Sequence, residues 1–156
     1  MGGGFGHQCA ALLAAFPELR GKLVLQELPQ TLAQLTPQLD GVDLVAQDFF
    51  PAQQVREARF YYLHDWPDEK CIVILEHLVA ALGPLSQILI DEMVLPDTGV
   101  PWEAAAIDLT MMASLGSRER TVKEWYGLLE AAGLRVVNIY TYVPRRQDSI
   151  IQVVPN

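Results

Sequence analysis

Cysteine is scarce: the 156 residues hold two, Cys9 and Cys71. Two separated thiols make neither a disulfide framework nor a metal motif, and reduced buried thiols in an intracellular protein are the plain reading. Positive charge is scarce as well, with 11 Lys and Arg against 19 Asp and Glu and a net charge of −8. That balance argues against nucleic acid or an anionic membrane as the main partner. No uncharged apolar run reaches the length of a membrane span, and no basic stretch opens the chain as a secretory leader would. No repeat or low-complexity linker divides it. What is present, 51% hydrophobic and 19% charged residues, suits one domain spanning 1–156 with a sizeable core, soluble and cytoplasmic.

Strand-type and helix-type segments alternate along the chain. HQCAALLAAF (7–16) has helical composition and stops near Pro17, and KLVLQ (22–26) is a short apolar strand that ends at Glu27. LPQTLAQLTPQL (28–39) reads as a helix or helical turn, while VDLVAQ (42–47) and the aromatic ARFYYL (58–63) read as strands. From Pro67 onward, Cys71, Ile74, Leu75, Leu78 and Leu82 recur at helical spacing up to Gly83. QILIDEMVL (87–95) is a continuous apolar strand, and EAAAIDLTMMASL (103–115) a helix. Another helix runs from the N-cap Thr121 to Gly133, with Trp125, Leu128, Leu129 and Ala132 on one face. LRVVNIYTYV (134–143) and SIIQVVP (149–155) close the chain as two strands suited to a hairpin. The alternation predicts an α/β sheet that is mainly parallel.

In such sheets ligands bind beyond the carboxyl ends of the strands, so polar residues there are the candidates for a site. Gly2, Gly3, Gly4 and Gly6 lead into a helix, where glycine permits a tight turn and close approach to a nucleotide-like ligand. Glu27 follows about twenty residues on, the spacing at which an acid binds both ribose hydroxyls. The alternative for Glu27 is an exposed turn carboxylate. Asp48 ends the next strand ahead of Phe49 and Phe50, His64 and Asp65 end the third, and the long strand carries Asp91 and Glu92. Of the three histidines, His7 belongs to the glycine turn and His77 to the polar, solvated side of its helix. A lone histidine is more often structural than catalytic. His64 stands out because Asp65, Glu92 and Glu119 are available to orient it and to stabilise its protonated form, as a general base requires.

The stretches GGGFGHQ, GKLVLQELP, DFF, LHDWPDEKC, ILIDEMVLPD, DLTMMASLGSRERT and EWYGLLEAAGL occur in this order over nearly the whole chain. Together they resemble the catalytic domain of plant and fungal small-molecule O-methyltransferases of the caffeate and flavonoid type. The resemblance implies a Rossmann-like class I methyltransferase sheet, mainly parallel with a C-terminal antiparallel strand pair. It implies S-adenosylmethionine at Gly2, Gly4 and Gly6, with Glu27 on the ribose and Asp48 and Phe49 near the adenine. His64 is then the base that deprotonates a phenol or enol oxygen for in-line attack on the sulfonium methyl. Glu92 and Glu119 hold His64, and Asp65, Met111 and Met112 meet the acceptor. Charge neutralises in that transition state, which leaves proximity, orientation and deprotonation for the protein to supply.

The family's usual first strand and its helical N-terminal half have no counterpart here, since only Met1 precedes the glycine run. The expectation is a sheet completed by association, as a homodimer or with a partner chain. Beside methyl transfer, two readings stay open. One is a descendant enzyme that uses the pocket for a cyclisation or pericyclic rearrangement of a natural product. The other is a non-catalytic accessory subunit.

Overall fold

A left-handed glycine starts the first regular element. In the computed structural model, which describes residues 3–35, 39–63 and 68–156, helix α1 (His7–Ala15) begins from Gly6 at φ 75°. The Gly6 N–H donates to the Gly3 carbonyl at 2.8 Å, closing the turn. A Cβ at Gly6 would collide with Leu39 Cδ1 and meet Leu25 Cδ2 at 3.1 Å, so glycine is required here on two counts. After a 3-10 turn (Pro17–Leu19) come β1 (Leu23–Glu27), α2 (Pro29–Leu32) and β2 (Val42–Ala46). The helix expected over 28–39 reaches only Leu32 and then tightens, Gln34 N–H bonding to Thr31 O and Leu35 N–H to Leu32 O. β1 and β2 pair in parallel, from Leu23 opposite Val42 to Glu27 opposite Ala46. These elements form one compact unit, Met1–Pro51.

The second unit, Ala52–Asn156, holds β3 (Phe60–Leu63), α3 (Asp68–Val79), β4 (Gln87–Leu95), α4 (Trp102–Leu115), β5 (Arg120–Thr121), α5 (Val122–Ala131), β6 (Leu134–Val143) and β7 (Asp148–Pro155). Its strands lie in the order β3-β4-β7-β6, with β5 also pairing to β4. β3 and β5 run parallel to β4, whereas β7 runs antiparallel to both β4 and β6. The parallel α/β pattern with an antiparallel terminal pair is the one the alternation of elements predicts. The second strand of the hairpin, rather than the first, docks on β4. Burial explains why: Ser149, Ile151 and Val153 of β7 are fully buried, while β6 leaves Val137, Tyr140 and Tyr142 half-exposed.

The periodic residues of α3 (Cys71, Ile74, Leu75 and Leu78) are all buried, as are Ile88 and Ile90 of β4 and Trp125, Leu128 and Leu129 of α5. Each such aliphatic side chain contributes about 1.5–3 kcal/mol on leaving water. α5 starts from a capping box: Thr121 Oγ1 accepts from the Glu124 N–H at 3.3 Å, and Glu124 Oε2 accepts from the Thr121 N–H at 2.9 Å. Met93 and Leu95 of β4 cluster with Ala104 of α4. Among the described residues no helix is long and apolar enough to cross a membrane.

Candidate functional site

In the first unit the carboxyl end of β1 is tied to the glycine turn. Glu27 is 8% exposed, which excludes the exposed turn carboxylate. Its Oε2 accepts the Gly4 N–H at 3.1 Å, and its Oε1 accepts the Leu28 N–H at 2.9 Å. The acid and the loop twenty-three positions before it are thus brought together. Gly4 has φ 51° and nothing within 4 Å of where a Cβ would stand, so the turn is open on that side. Gly2 lies outside the described residues. Beside Glu27, the buried Gln26 amide donates to Gln47 Oε1 at 2.6 Å, and the Gln47 N–H bonds to the Glu27 carbonyl at 3.0 Å. Asp48 follows at the surface, its Oδ1 accepting the Phe50 N–H at 3.1 Å, and the Phe49 side chain turns inward to 5% exposure.

In the second unit the carboxylates gather where β5 meets β4. Val94 pairs with Arg120, so Glu92 and Glu119 lie two residues and one residue ahead of matched positions on neighbouring strands. Glu92 is buried and Glu119 half-buried, with the Glu119 N–H held by Asp108 Oδ1 of α4 at 2.7 Å. Met111 is half-buried and Met112 exposed on α4. His64 and Asp65 lie outside the described residues. Asp91 accepts the Tyr142 hydroxyl at 2.7 Å; burial first, then this carboxylate, pushes the phenol well above its ordinary range.

One residue differs from its sequence reading, and another carries a role the sequence reading did not address. His77, expected to be solvated, is half-buried, and its Nδ1 is shielded with no acceptor among the described residues. It sits three positions after Ile74 and one before Leu78, close enough to the apolar face of α3 to be drawn in. Arg120, which the sequence reading does not single out, is buried. Its guanidinium bonds to Asp68 Oδ1 at 2.6 Å and stands 4.9 Å over the Trp125 ring. Arg118 pairs with Asp68 at 3.2 Å and also with Glu124. Burial opposes the Asp68 charge, yet the bonds and charges of Arg120 and Arg118 prevail and hold its carboxyl below the ordinary range. Glu124 is held low chiefly by the Thr121 N–H.

The O-methyltransferase domain, as a family model, matches residues 1–135. The chain belongs to the O-methyltransferase family. Demethylsterigmatocystin 6-O-methyltransferase of Aspergillus flavus is 50% identical to this O-methyltransferase chain over 157 residues, covering 98% of the chain and 40% of the relative. The chain therefore spans about two-fifths of that relative's length. Two solved chains superpose with a TM-score of 0.91 at 34% identity, over 100% of this chain and 42% of theirs. One is described as a pericyclic reaction enzyme, the other as LepI in complex with SAM.

Proposed function

We propose that the chain carries out S-adenosylmethionine-dependent methylation of a phenol or enol oxygen on a natural product, its two units acting as one catalytic domain. The observation that carries this reading is the hydrogen bond from the Gly4 N–H to buried Glu27. A carboxylate has about four acceptor sites; Gly4 and Leu28 take two, which leaves capacity for the paired hydroxyls of a ribose. The cofactor supplies a methyl group on a sulfonium. Glu27 binds and orients its ribose, the glycine turn approaches it through backbone alone, and Asp48 and Phe49 meet the adenine. His64 takes the acceptor's proton, Glu92 and Glu119 orient His64, and Asp65, Met111 and Met112 hold the acceptor.

Glu27→Gln keeps the shape but removes the charge. Hydrogen bonds to charged groups contribute about 1.5–3 kcal/mol, so affinity for S-adenosylmethionine should fall about 10–100-fold. Calorimetric titration of both proteins measures this, and equal affinities would remove Glu27 from the site. The likeness to a pericyclic reaction enzyme favours a second reading, in which the same pocket rearranges its substrate without methylating it. Product mass separates the two: methylation adds one methyl group, rearrangement adds nothing.

We also propose association, as a homodimer or with a partner chain. Seven of the nine α1 residues are apolar, yet none is buried. Leu12 and Phe16 stand 42% and 51% exposed, a surface that favours cover. Light scattering should give a mass above the 17.3 kDa of one chain; a monomer at micromolar concentration would end this part of the proposal.

A further inference from the structure

Two buried amides join the carboxyl ends of β1 and β2, and the proposed function gives neither a role. Gln26 and Gln47 are each 4% exposed, and Gln26 Nε2 donates to Gln47 Oε1 at 2.6 Å. Apolar side chains of the same shape would fill that space without stripping two amides of water. What the bond adds is direction. The parallel register ends with Glu27 opposite Ala46, so Gln47 is the first residue beyond it. Its N–H bonds to the Glu27 carbonyl at 3.0 Å, and its side chain is held by Gln26. Backbone and side chain together therefore fix how the chain leaves β2 toward Asp48.

Successive side chains of a strand point to opposite faces. Leu25 and Glu27 face the glycine turn: a Cβ at Gly3 would collide with Leu25, and Glu27 accepts the Gly4 N–H. Gln26, between them, points to the other face and braces β1 from behind. We propose that Gln26 and Gln47 are positioning residues. Their amide bond sets the spacing between the Glu27 carboxylate and the Asp48–Phe49 segment, and through it the affinity for S-adenosylmethionine. The inference rests on the reading of Glu27 as the ribose acid and of Asp48 and Phe49 as the adenine contacts. A ligand that spans both places binds well only when their separation matches its own.

The test is a calorimetric titration with S-adenosylhomocysteine. It compares the unaltered chain, Glu27→Gln, the pair variant Gln26→Met with Gln47→Met, and all three changes combined. Methionine keeps the unbranched length of glutamine, and removing both amides together leaves neither without its partner, so the pair variant should keep the fold. Gln47→Asn, which retracts the amide by one methylene, takes its place if the pair variant does not fold. Affinity should fall about tenfold in the pair variant, within the range for residues coupled in one hydrogen-bond network. Because the pair acts through the placing of Glu27, the combined variant should lose less than the product of the separate losses. A pair that only supports the fold would leave the affinity of the folded protein unchanged. Equal affinity in the pair variant, beside a loss in Glu27→Gln, would end the positioning role and leave the reading of Glu27 standing. Losses that multiply in full would likewise end it. If Glu27→Gln binds as the unaltered chain does, Glu27 is outside the site, and the proposal falls with that reading.

Discussion

Replacing His64 by alanine is expected to lower methyl transfer about 10²–10⁴-fold, the usual contribution of a positioned general base, with the fold intact. A phenol holds its proton at neutral pH, and the neutral oxygen is a poor nucleophile toward a methyl carbon. A neutral imidazole is available near pH 7 to take up that proton as the oxygen attacks. His64 follows directly on β3, whose last residue Leu63 pairs with Ile90 of β4, at the end of a parallel strand where ligands meet such sheets. Glu92 lies on β4, which pairs with β3, and Glu119 immediately precedes β5, which pairs with β4. Turnover of the methyl acceptor, per folded molecule, is the quantity to compare. His77→Ala is the matched control: it sits on α3 with a shielded Nδ1, so any loss it causes should appear in stability and not in turnover. Full activity in His64→Ala would remove His64 as the base.

Local signals in the sequence were strong wherever burial follows a period. Cys71, Ile74, Leu75 and Leu78 announce the inner face of α3, and Thr121 announces the N-cap of α5, because both signals are written within a few residues. The link from Glu27 to the glycine turn was legible for a related reason, since a known spacing carries it. Arg120 was not legible. Its partner Asp68, the first residue of α3, is fifty-two positions away, and only the tertiary fold brings the two together. In isolation SRERT is a solvated charge run. The placing of β7 against β4 was equally hidden: a hairpin reads the same whichever strand docks. Only the alternation of Ser149, Ile151 and Val153, set against the half-exposed tyrosines of β6, selects the order.

Trp125→Ala is expected to destabilise the second unit by about 3–5 kcal/mol, the range for emptying a buried large aromatic site. Trp125 is 2% exposed, and its removal acts in three places at once. The indole volume is lost between α5 and β4, where Leu128 and Leu129 are already buried and have little room to close the gap. The Met93 carbonyl loses the N–H that reaches it at 3.1 Å. The Arg120 guanidinium loses the ring beneath it and keeps only its polar partners. Since domains are stable by about 5–15 kcal/mol in all, the change removes a large share of the reserve. Trp125→Phe separates the contributions: it restores most of the volume and a π-face but not the donor, so it should lose only about 1–3 kcal/mol, the cost of an unmade buried hydrogen bond. Urea unfolding followed by circular dichroism gives both values as shifts of midpoint. Losses below about 1 kcal/mol for the alanine variant would mean that the core closes over the gap, and that neither the indole bond to Met93 nor the stacking on Arg120 holds α5 to the sheet.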